Sequence, residues 1–136
     1  MLVDAGASRE RDDVDTLLTM AGERDAVDRL LAADPGLRER AIERRPDQLV
    51  RAAEKNSLEA VALLIELGFD PNATNRTAPL HEAAMRGNMR IIRLLLEHGA
   101  DPNVRDVGYK ATPAGWAEHH HQTEAEQYLA ALEDRP

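Results

Sequence analysis

Residues 77–103, TAPLHEAAMRGNMRIIRLLLEHGADPN, decide the fold. The stretch divides into four pieces. A tight turn at Thr77-Ala78-Pro79 opens it, a short helix runs through Met85, Gly87-Asn88 makes a second turn, and a longer helix continues to about Glu97. Gly99 stops that helix and Asp101-Pro102-Asn103 leads the chain away, because Gly and Pro at these places punctuate helical structure.

The pattern repeats on both sides of this stretch. On the N-terminal side, 46–76 carries it at a spacing of 31: Ala52-Ala53 match Ala83-Ala84, Leu63-Leu64 match Leu94-Leu95, Gly68 matches Gly99, and Asp70-Pro71-Asn72 match Asp101-Pro102-Asn103. Pro46 is expected to begin the first helix of that unit, and Asn56-Ser57-Leu58-Glu59 reads as a capping box with Asn56 at the cap. Residues 9–36 form a degenerate unit. Val14, Leu17 and Leu18 share one helix face, Gly22 takes the turn, Val27, Leu30 and Leu31 supply the second apolar stripe, and Asp34-Pro35-Gly36 ends it. Leu37, Ala41 and Ile42 predict an extra short helix over 37–45, whose Arg38, Arg40, Arg44 and Arg45 read as a solvated basic face. Residues 1–8 resemble the LLLEHGAD of 94–101, hence a partial repeat and a longer array cut short.

On the C-terminal side, Thr112-Pro113 and Ala117 restate the opening motif at a spacing of 34. Glu118 stands where Ala84 stood, and Ala125-Glu126 where Ile91-Ile92 stood, so 111–136 has the polar outer face of a terminal capping repeat, with the natural end near Pro136.

T-x-P-L-H-x-A-A, then Gly, then an Ile/Leu-rich helix closed by G-A-D-P-N, resembles the ankyrin repeat family. The resemblance implies an all-α solenoid of stacked helix-turn-helix units with short hairpin-like connectors, the unit centred on the motif spanning 77–110. The Ala pairs fit first helices that lie close together, where bulk would force the layers apart. The resemblance also implies a non-catalytic protein-interaction module or scaffold, binding through its hairpin tips and the concave face of the first helices. The two positions after each Ala pair would face the partner: Glu54 and Lys55, Met85 and Arg86, His119 and His120, with Met20 and Ala21 in the degenerate unit. The connector from Asn103 to Pro113 is the longer one, with Asp106-Val107-Gly108 as a turn signal, and its Arg105, Tyr109 and Lys110 join Arg76 as a contact set on a mobile tip. Trp116 replaces Glu82 and reads equally as an exposed aromatic anchor or as a filler at the end of the stack. The expected partner is a protein with some acidic surface facing Arg76, Arg86 and Arg105.

Composition narrows the alternatives. The 136 residues hold no cysteine, so neither a disulfide framework nor a thiolate site can form. No apolar run approaches the roughly 18 residues of a membrane span, and MLVDAGAS lacks the basic flank of a signal peptide, which together predict a cytoplasmic protein; a monomer is expected separately. A net charge of −8 argues against nucleic acid or another phosphate surface as the main partner. Basic residues are overwhelmingly Arg, with only Lys55 and Lys110 as lysines; with so much Ala this suggests a GC-rich, bacterial genome.

Catalytic and cofactor motifs are missing: no G-x-S-x-G, H-E-x-x-H, P-loop or G-x-G-x-x-G occurs, and the serines, Ser8 and Ser57, sit in turn or cap contexts. No cofactor is implied. His81 reads as a turn-stabilising residue and His98 as a partner for the last carbonyls of its helix. His119-His120-His121 invites a metal reading, yet adjacent helical residues point about 100° apart and cannot chelate one ion together. The remaining alternative is a small-ligand or metal site over 119–124, built on His120 and Glu124 at i,i+4.

Overall fold

The computed structural model describes residues 14–133. The expected partial repeat at 1–8 and the chain end at 134–136 lie outside the described residues. Among these there are nine helices and no strand: α1 (14–19), α2 (Arg24–Ala33), α3 (Leu37–Arg44), α4 (Gln48–Glu54), α5 (Leu58–Leu67), α6 (Pro79–Arg86), α7 (Met89–Glu97), α8 (Pro113–His119) and α9 (Thr123–Ala130). The fold is an all-α solenoid. First helices α4, α6 and α8 stack in that order, each packs on its own second helix (α5, α7, α9), and α5 also packs on α7.

The same turn closes three of the hairpins, with a different residue at its strained position. Asn56, Gly87 and His121 all have left-handed backbone, φ 60°, 66° and 61°. At each, the residue's N–H and that of the next residue bond back into the first helix: Asn56 to Ala53 O and Ser57 to Ala52 O, Gly87 to Ala84 O and Asn88 to Ala83 O, His121 to Glu118 O and Gln122 to Ala117 O. Gly adopts this backbone freely, whereas Asn and His are among the few other residues enriched there. This corrects the capping-box reading, because Asn56 is the turn residue and Ser57 the cap, its Oγ accepting Ala60 N–H at 3.1 Å. Pro46 likewise lies two residues ahead of α4, outside the helix it was expected to begin.

Layer spacing follows from side-chain size. Ala52, Ala53, Ala83, Ala84 and Ala117 are buried between first helices, and Glu118, at the position of Ala84, is exposed on the last one. Leu64, Leu95 and Leu129 stand at one repeat position of the second helices and are wholly buried. Complete burial of a Leu side chain stabilises by about 1.5–3 kcal/mol, so this column is a principal adhesive of the stack. Polar contacts cross between units as well. Asn72 donates to Gly99 O (2.9 Å) and accepts Asp101 N–H (2.8 Å), while Asn88 donates to Asn56 Oδ1 (2.8 Å) and Gln122 to Met85 O (3.1 Å).

The N-terminal side departs from the regular pattern. α3 replaces a connector, burying Leu37 and Ala41 and tied to the end of α2 by the Arg40–Asp34 ion pair. Ala21, expected on the partner-facing side, is buried in the core instead.

Candidate functional site

The site grows from the connectors that precede α6 and α8. Asn75 Nδ2 donates to Asp47 Oδ2 at 3.1 Å, tying the 70–76 connector back to the start of α4. Val107 N–H donates to Arg76 O at 3.0 Å, tying the longer connector onto the shorter one. Successive connectors therefore form one continuous edge along the stack.

The longer connector is not a loose tip; it is folded around Asp106, whose side chain is only 4 % exposed. Oδ2 accepts Tyr109 N–H at 2.6 Å, and Oδ1 accepts Ala111 N–H and the Trp116 indole N–H, both at 2.9 Å. Backbone bonds from Asp106 N to Ala111 O and from Lys110 N to Asp106 O complete the turn, and Lys110 is held in left-handed backbone at φ 54°. Burial alone would raise the Asp106 pKa, but the N–H donors of Tyr109, Trp116 and Ala111 favour the carboxylate and bring it down to about 2. In the sequence Asp106 is legible only as a turn signal. Its three donors lie three, five and ten residues on, a pattern with no local signature.

His81 fixes the other side of this turn. Its Nδ1 accepts Ala78 N–H at 3.0 Å, which leaves the proton on Nε2 to donate to Ala111 O at 2.8 Å. The ring is fully buried, and burial pushes its pKa down. Ala111 is thus gripped at its N–H by Asp106 and at its carbonyl by His81.

Trp116 stands over this junction, half-buried. Its ring centroid is 5.4 Å from that of His81 and 6.3 Å from those of Tyr109 and His120. The two readings of Trp116 merge here: one end is anchored on Asp106 while the ring helps to line an open cleft of about 560 Å³. Met85, Tyr109, Trp116, His119 and His120 line the cleft together with Ala111 and Gly115. Tyr109 is 83 % exposed, an unusual position for an aromatic ring on a chain with so few.

The other expected contact residues lie apart from the cleft. Glu54 and Lys55 are exposed at the end of α4, Lys55 bordering a separate recess near Leu18 and Ser57. Arg76, Arg105 and Lys110 are exposed on the connector edge, and the Arg105 guanidinium donates to Lys110 O at 2.9 Å. Arg86 is the correction among them. It is half-buried and bonds Glu82 through both the carbonyl (3.0 Å) and the carboxylate (2.9 Å), and Glu82 also accepts the Thr77 hydroxyl. A guanidinium so engaged belongs to the wall of α6 rather than to a free contact surface.

The 119–124 alternative loses its geometric premise. α8 ends at His119 and α9 begins at Thr123, so His120 and Glu124 do not share a helix. His121 occupies its turn for backbone reasons. Among the described residues no group of three His, Asp or Glu side chains is arranged to hold a metal ion, and no helix is long and apolar enough to cross a membrane.

Stacked helix pairs with a recurrent left-handed turn, joined by connectors along one edge, define a helical-repeat protein of the kind that works as a binding surface. The family model of ankyrin repeats (3 copies) matches residues 16–106, well over half of the sequence, and the chain belongs to the ankyrin repeat family. Comparison with curated proteins found none that matches. The α8–α9 pair and every cleft-lining residue except Met85 lie beyond the matched span, and the structure shows that this pair continues the stack on α6.

Proposed function

We propose that the chain is a non-catalytic protein-interaction module or scaffold, its partner bound across the connector edge and the first-helix face. Ankyrin repeats are generally interaction modules, and one observation carries the reading here. The α6–α8 junction holds an aromatic-lined cleft whose most exposed ring, Tyr109, sits on a connector made rigid by a buried carboxylate. Interface cores are enriched in aromatic residues and Met, and a pre-ordered loop loses less entropy on binding.

The test compares the parent chain with the double variant Met85→Ala/Tyr109→Ala as baits in a pulldown from the source lysate. Both side chains line the cleft and neither makes a side-chain hydrogen bond that holds the fold, so the variant should melt like the parent. A protein captured by the parent and lost from the variant supports the reading. Equal capture by both would remove the cleft from the binding surface.

A further inference from the structure

The connector edge carries a feature that the cleft does not account for. Arg45, Arg76 and Lys110 each lie three residues before the start of a first helix, at Gln48, Pro79 and Pro113. They therefore occupy one repeat position in three successive units. All three are exposed and none has a carboxylate partner among the described residues, which is also true of most other basic side chains there, so it is their shared repeat position that sets them apart. The hydrogen bonds from Asn75 to Asp47 and from Val107 to Arg76 tie together the short α3–α4 turn, where Arg45 caps α3, and the two connectors that carry Arg76 and Lys110. The last rung is held in left-handed backbone: Lys110 has φ 54°, a conformation that Gly would adopt more readily than a side-chain-bearing residue.

We infer that this edge is a ladder of cations for an extended acidic peptide segment of the partner, with an acidic side chain at every third residue and an apolar residue beyond the last that enters the cleft beside Tyr109 and Trp116. The inference rests on the interaction-module reading above and adds the ligand's chemistry and register. Packed helices lie about 8–10 Å apart, so rungs one repeat apart advance by about that distance. A polyproline II peptide rises about 3.1 Å per residue with three residues per turn, so every third side chain falls on one face about 9.3 Å further on. A β-strand would alternate faces over the same distance and present alternate carboxylates to solvent. Screening leaves either kind of anion facing mainly the local cations, so the three-residue register together with the apolar cleft beyond Lys110 is what favours a peptide over a polyphosphate.

The experiment is fluorescence anisotropy with labelled peptides of about 12 residues in a proline-rich frame. One carries Glu at every third position and ends in Leu; a second has the same composition with its Glu residues contiguous. A single-stranded oligonucleotide of equal charge is the third probe. The spaced peptide is expected to bind best, and Arg76→Glu and Lys110→Glu are each expected to weaken it by about fivefold, since a lost surface pair and a new repulsion both act. Unchanged thermal melting of the two variants establishes that the fold is intact. Equal affinity for spaced and contiguous peptides, tighter binding of the oligonucleotide, no binding of any probe, or indifference to Arg76→Glu would each overturn the ladder. If Met85→Ala/Tyr109→Ala still abolishes partner capture in any of those cases, the ligand assignment fails and the interaction reading stands.

Discussion

Replacing Asp106 by Asn removes one charge and almost no volume, and it tests how the long connector is held. The Asp106 carboxylate accepts two backbone N–H groups and the Trp116 indole in a nearly buried setting. A folded-state pKa of about 2 against the ordinary 3.8 corresponds to about 2 kcal/mol of stabilisation from the ionised form. An Asn amide must also turn its NH₂ toward one of these donors, so the expected loss at neutral pH is about 2–3 kcal/mol, or roughly 10 °C in Tm for a chain of this size. The sign of the pH dependence follows from the lowered pKa. The contribution is complete above about pH 4 and fades as pH falls through about 2. Urea unfolding of parent and variant at a series of pH values, followed by circular dichroism and by Trp116, the chain's single tryptophan, reads both quantities. The gap between the proteins should be widest at neutral pH and narrow between pH 4 and 2. Equal stability at pH 7, or a gap that stays constant down to pH 2, would refute the role given to this carboxylate.

Further outcomes follow from the same geometry. Gly87→Ala should cost more than Gly99→Ala: both glycines are left-handed, but a Cβ at Gly87 would meet Gln122 Oε1 at 2.3 Å while one at Gly99 meets nothing within 4 Å. Strain alone predicts about 1–2 kcal/mol for Gly99→Ala, read as a shift in urea midpoint, and the displaced Gln122 adds to it at Gly87. Leu95→Ala, in the buried column of second helices, should lose about 2–5 kcal/mol, whereas Leu132→Ala, 44 % exposed, should cost clearly less. His81 is buried neutral, so its contribution is full above about pH 6.5 and lost as pH falls through its lowered folded-state pKa. His81→Asn should be less stable at pH 7 and should lack that part of the decline on acidification, which thermal melts between pH 7 and 5 would show.

The solenoid was legible because its signals are local and recur. The Ala pairs, the Gly stops and the leucines at 64 and 95 sit at fixed spacings, and each repeat restates the same helix periodicity. What escaped the sequence depends on partners that spacing does not mark. The left-handed turn is filled by Asn56, Gly87 and His121 in turn, so a cap motif in one unit and a His run in another concealed a single backbone requirement. Arg86 read as a free cation because its position after the Ala pair was given precedence, although Glu82 stands four residues earlier on the same helix, a spacing at which ion pairs form. Ala21 followed the register but not the exposure, since the degenerate unit packs differently from those behind it. Asp106 draws its donors from three separate places, one of them a Trp that occurs once in the chain, and only the folded connector brings them together.

Amide chemical-shift mapping of the labelled chain during titration with the spaced acidic peptide tests the central claim most directly. The expected shifts cluster at Arg45, Arg76, Tyr109, Lys110 and the Trp116 indole, the connector edge and its cleft. Shifts confined to α7 at Arg90, Arg93 and Glu97, or no shifts at saturating peptide, would contradict it.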